Sequence, residues 1–203
     1  MLLNTFFVCS TVIMLMDAPN IYLFLGTKIC HDCKNDLSTE TSIFEEYSHL
    51  RRQIYIFFVE PTEDLTRYDT FFNDALKVFH PYDSTFMDFM KNFRGLWAKK
   101  GEFDRCYQIT QMILKNLHHN NPSYDLAIAM EEIWAGRFCI QIDKLEEAEN
   151  HVNKAENIFR ISYGTDENHP ILSKVCREAF GAIAMKRSGG NVKMSLKHTS
   201  KKQ

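Results

Sequence analysis

The stretch from Pro122 to Pro170 limits what this chain can fold into, because small residues recur in it at spacings that suit a pair of closely packed helices. Gly136 sits inside one apolar helical pattern, Ala148 and Ala155 sit in the next, and Asp143-Lys144 separates the two. Antiparallel helices approach closely only where short side chains meet, so these positions predict the contact line of a helical hairpin. His80-Pro81, Pro122 and His169-Pro170 each precede a helix-like pattern, at intervals of 41 and 48 residues. That periodicity predicts stacked hairpins of one kind.

The neighbouring units follow from the same punctuation. Upstream, Asp83 or Ser84 can cap a helix running to about Lys99, Lys100-Gly101-Glu102 makes a turn, and Phe103 to about His118 returns, with Cys106 in the place of Ala148. Downstream, Ile171 to about Arg187 supplies a last helix with Gly181 and Ala182 as its small residues, and Ser188-Gly189-Gly190 supplies a turn. Earlier still, Ile43 to about Val59 carries an apolar stripe. Pro61 is expected to open a further helix, Thr62 to about Phe79, with Leu65, Tyr68, Phe72, Leu76 and Phe79 along one face. Apolar residues recur at three- and four-residue intervals from Ile43 to Met185. The fold expected is all-α, a superhelix of about seven antiparallel helices resembling tetratricopeptide repeats over residues 39–187. A short irregular, partly apolar segment (1–38) precedes it, and a basic disordered tail (188–203) follows.

Composition excludes some partners. A formal net charge of −2 gives no global field favouring nucleic acid or an acidic membrane, and neither is expected. Between Met1 and Thr27 the only charge is Asp17, yet the apolar run Phe6 to Met16 is far short of the ~20 residues that span a bilayer. No basic residue precedes that run and no cleavage site follows in good position, so a cytoplasmic or nuclear protein is expected rather than a secreted one. The run is either a strand-like remnant of an upstream domain or packs on the first helices. Lys186, Arg187, Lys193, Lys197, Lys201 and Lys202 are dispersed, which reads as a solvated tail.

Little in the sequence carries chemistry. The aromatics Phe71, Phe72, Phe79, Phe86, Phe89, Phe93 and Trp97 lie at helical spacing and are expected in the core. Cys30 and Cys33 form a C-x-x-C, half of a tetrahedral zinc site, which Cys9, His49 or a partner chain would have to complete; the alternative is a pair of reduced thiols. Cys106, Cys139 and Cys176 read as small buried hydrophobes. None of the glycine-rich phosphate loops, nucleophile elbows or H-E-x-x-H motifs occurs, and no catalytic residue is expected. His118-His119 and His169 are expected at helix ends, facing carbonyls. Adjacent carboxylates at Glu131-Glu132 and Glu146-Glu147 splay about 100° apart and are expected on solvated faces. In the register set by Gly136, a binding groove would be lined by Lys91, Met130, Ile133, Arg137 and Ile140. Such a groove suits a protein or peptide bearing a carboxylate and one or two apolar anchors, or an adjoining domain.

The order Cys30-His31-Asp32-Cys33, two helices, Lys99-Lys100-Gly101-Glu102-Phe103, Leu145-Glu146-Glu147-Ala148-Glu149 and Tyr163-Gly164-Thr165-Asp166-Glu167-Asn168-His169-Pro170 resembles the C-terminal region of the SET and MYND domain-containing protein-lysine methyltransferases, over about residues 28 to 187. In that family a cysteine-rich zinc site after the SET domain precedes a tetratricopeptide-like superhelix that shapes the substrate cleft. The resemblance implies Cys30 and Cys33 as zinc ligands and an adjoining SET domain as one partner for the helices. This chain has neither the paired cysteines of a MYND finger nor the asparagine-histidine motif of a SET core, so no S-adenosylmethionine site is expected in it. The reading is a non-catalytic interaction module. Its alternatives are part of a divergent methyltransferase whose SET domain is missing from this chain, or an adaptor like kinesin light chain, whose repeats Leu145–Ala148 and Gly164–Pro170 also resemble.

Overall fold

Side-chain caps mark where three of the helices begin. Asp64 Oδ1 accepts from the Thr66 amide at 3.0 Å, Asp83 Oδ1 from the Phe86 amide at 2.7 Å, and Asp125 Oδ1 from the Ala127 amide at 2.6 Å, each satisfying an N–H that the first helical turn leaves without a partner. Three helices end in the same way. Gly101, Asp143 and Gly189 take left-handed backbone (φ 81°, 61° and 81°), and the next residue donates to the carbonyl five positions back. These bonds are Glu102 to Trp97 (3.0 Å), Lys144 to Cys139 (2.9 Å) and Gly190 to Met185 (2.9 Å).

The computed structural model describes residues 41–59, 64–79, 83–164 and 171–192, and all regular structure among them is helical. The helices are α1 (Thr41–Val59), α2 (Leu65–Val78), α3 (Ser84–Lys100), α4 (Phe103–Asn120), α5 (Leu126–Gln141), α6 (Leu145–Tyr163) and α7 (Arg177–Arg187), the last entered through a π-helical stretch, Ile171–Cys176. The protein is an all-α helical-repeat fold with seven α-helices among the described residues. Pro61 lies outside them; α2 starts at Leu65, later than the expected Thr62, because Asp64 supplies the cap.

Backbone contacts divide the chain into two compact units, Met1–Phe89 and Met90–Gln203. In the first, α1 and α2 pack through Tyr47, Leu50, Ile54 and Phe57 against Tyr68, Phe71, Phe72 and Ala75, all buried. Phe57 is the hub, with its ring 4.4 Å from Tyr68 and 5.1 Å from Phe71. Tyr47 Oη also donates to Asp83 Oδ2 at 2.7 Å, which holds the α3 cap against α1. Leu76, expected on this face, is 41% exposed; Ala75, Val78 and Phe79 take the buried positions of that turn.

In the second unit α5 packs on both α4 and α6, and α7 closes over α5 and α6. The α5–α6 seam is as tight as its small residues require. A Cβ built on Gly136 would stand 2.9 Å from Val152 Cγ2 and 3.2 Å from the Ala148 carbonyl oxygen. Ala148 and Ala155 are fully buried, as is Cys106 at the equivalent place in α4. The last helix forms where expected, but its small residues Gly181 and Ala182 do not make its seam; Ala182 is only half-buried. Gly181 is exposed and a Cβ built on it would meet nothing within 4 Å, and the packed face here is Cys176 at the end of the π-helical stretch with Ala179 and Ile183 of α7.

Because Ala148 offers a rigid backbone atom to the space beside Gly136, Gly136→Leu and Ala148→Leu should each destabilise the protein by roughly 1 to 3 kcal/mol or more. Urea denaturation of the two variants measures it.

Candidate interaction face of α5

Helix α5 is buried on nearly every side, and its two central carboxylates show how such burial is tolerated. Glu131 and Glu132 are 7% and 2% exposed, contrary to the expectation of a solvated face. Their predicted splay holds, so they enter two different seams. Glu131 pairs in two-pronged fashion with Arg94 of α3, whose Nη2 donates to Oε1 at 3.2 Å and whose Nη1 donates both to the other carboxylate oxygen and to Thr110 Oγ1 of α4 at 3.0 Å. Thr110 in turn donates to the Cys106 carbonyl at 2.8 Å. A buried carboxylate without such a partner would cost several kcal/mol.

Glu132 faces α4 and α6. It pairs with His151 Nδ1, and His118 Nε2 stands 3.8 Å from its other oxygen, so His118 serves the α4–α5 seam rather than only the end of its own helix. On the far side of the imidazole, Nε2 lies 3.2 Å from Tyr107 Oη and 3.3 Å from Gln111 Nε2. Tyr107 donates to Glu147 Oε2 at 2.9 Å. Burial, and then that hydrogen bond, hold the phenol well above its usual pKa, and the same bond lowers that of the Glu147 carboxyl. Glu146 and Glu147 are both exposed, as expected of a solvated pair.

What remains of α5 is one open stripe. Beyond its first turn the residues not buried are Met130, Trp134, Arg137 and Gln141, at intervals of four, three and four, so they share one face. Trp134 stacks on Phe138 (centroids 5.8 Å apart) and has two guanidinium groups over its ring, Arg94 at 5.6 Å and Arg137 at 5.3 Å from its centre. Arg94 is buried and paired. Arg137 is half-buried, and among the described residues no carboxylate lies within ion-pair distance of it. Burial pushes its pKa down, and the charge of Glu178 on α7 works against that.

Of the five residues expected to line a groove, Met130 and Arg137 are on this stripe and Lys91 is partly exposed on α3. Ile133 and Ile140 are 1% and 2% exposed and belong to the core, so the register is corrected to Met130, Trp134, Arg137 and Gln141. Trp134 and Gln141 escaped the sequence reading because a helix apolar on most sides shows no preferred face. Cys30 and Cys33, with the expected zinc site, lie outside the described residues, as does His169. Among the described residues no three His, Cys, Asp or Glu side chains gather as metal ligands, and no helix is long and apolar enough to cross a membrane. No protein-family model matches the chain, and no curated protein matches it.

Arg94→Met leaves Glu131 buried without its partner and should cost about 3 to 5 kcal/mol, whereas the double variant Arg94→Met/Glu131→Met should recover much of the loss. Chemical denaturation of both variants tests the pairing. Burial also raises the thiol pKa of Cys106 to about 12 and those of Cys139 and Cys176 to about 11. In a protein with Cys9, Cys30 and Cys33 changed to Ser, iodoacetamide at about pH 8 should therefore leave the folded chain unalkylated and modify it fully in denaturant, as read by mass spectrometry.

Proposed function

We propose that this chain is a non-catalytic protein-interaction module that binds a segment of a partner along α5, and that it resembles the helical C-terminal half of a SET and MYND lysine methyltransferase. The observation that carries the binding reading is the open stripe. A helix otherwise enclosed by α4, α6 and α7 leaves one line of side chains that are not buried, and that line sets an exposed Met130 and a partly exposed indole beside Arg137 and Gln141. The family reading rests on the sequence order of Cys30-His31-Asp32-Cys33, the helices and the Tyr163–Pro170 motif. The chain contains no SET or MYND motif, so S-adenosylmethionine is not a ligand in this reading.

Random linear peptides displayed and selected on the full chain should give a pool whose binding Met130→Glu abolishes. Met130 is exposed, so this change should alter stability by no more than about 0.5 kcal/mol. A selection that enriches nothing, or a pool indifferent to Met130→Glu, removes the scaffold reading. Calorimetry should show no heat with S-adenosylmethionine; a saturable signal would overturn the non-catalytic assignment.

A further inference from the structure

The open stripe changes character along its length, from Met130 through Trp134 to Arg137. Met130 and Arg137 are two turns apart, ~10.5 Å along the axis at 1.5 Å per residue. Arg137 is the demanding member. Its guanidinium is half-buried against the indole, and none of its N–H groups meets an acceptor among the described residues. Three other arginines of the same unit are paired: Arg94 with Glu131, Arg160 with Glu156, Arg187 with Glu149. A cation that has lost water without gaining an acceptor is disfavoured, and a planar guanidinium is the side chain best shaped to take both oxygens of a carboxylate.

Building on the interaction reading above, we propose that the stripe recognises an acidic linear segment of a partner protein, with a carboxylate seated on Arg137 and an apolar side chain on Met130 and Trp134. The span sets the spacing. A partner segment in polyproline II conformation advances ~3.1 Å per residue and returns the same face every third residue, so it covers ~9 Å in three residues and the apolar residue and the Asp or Glu stand three positions apart. Glu178 of α7 is the resident competitor. It is exposed, and its charge supports the Arg137 cation from beyond ion-pair distance, so it weakens the hold on any incoming carboxylate.

The peptide pool selected on the full chain provides the probe. Its members should share an apolar residue and an acid three positions apart, and a synthetic member should bind Arg137→Gln about tenfold or more weakly. Changing the peptide's acid to its amide should weaken binding to the unaltered protein equally, and should have no further effect on Arg137→Gln. Glu178→Gln should tighten binding several-fold. A pool without acids, or a peptide whose affinity neither Arg137→Gln nor the amide change alters, overturns carboxylate recognition; the scaffold reading survives that result if Met130→Glu still abolishes binding. A selection that enriches nothing, or binding indifferent to Met130→Glu, overturns both. If Arg137→Gln does not fold, the amide series on the unaltered protein decides the matter alone.

Discussion

Two neighbouring carboxylates in the middle of α5 organise the second unit. Glu131 and Glu132 are consecutive, so the 100° step of the helix sends one toward Arg94 and Thr110 and the other toward His151 and His118. Three helices are thereby tied to two residues of a fourth. Apolar side chains at these positions could pack at least as favourably, since taking charges out of water offsets most of what their attraction returns. What the pairs add is directional. A two-pronged arginine–carboxylate contact tolerates little sliding or rotation, whereas Ile and Phe would accept several registers.

That fixed rotation of α5 determines what reaches the surface. With Gly136 pressed against Ala148 and Val152 on one side and the two carboxylates engaged on others, Met130, Trp134, Arg137 and Gln141 are the positions left over. The face and the core are consequences of one orientation. Trp134 joins them physically, because the buried, paired Arg94 and the half-buried Arg137 both lie against its ring.

Local features were legible in the sequence and rotational ones were not. The turns at Gly101, Asp143 and Gly189, the cap at Asp83 and the contact line through Gly136 and Ala148 all depend on residues whose backbone or size has a specific effect, and each is where spacing predicts it. The groove register failed for the opposite reason. A helix with apolar residues on most sides gives no periodic signal for its exposed face, so Ile133 and Ile140 were as good candidates as Trp134 and Gln141. Burial of Glu131 and Glu132 was likewise invisible, because their partners Arg94 and His151 lie 37 and 19 residues away. Gly181 shows that a small residue need not mark a seam, since a Cβ built on it would meet nothing within 4 Å.

Asp143 occupies a position where the two equivalent turns have glycine. A left-handed backbone costs a side chain roughly 1 kcal/mol, although Asp is among the residues that bear it best. In return its carboxylate receives Lys186 of α7 at 2.7 Å, an exposed pair worth at most about the same amount. The exchange is nearly neutral in energy and informative in geometry. A glycine turn tells the chain only to reverse; this turn also tells the last helix where to rest, so the loop between α5 and α6 carries an address for a segment more than forty residues further on.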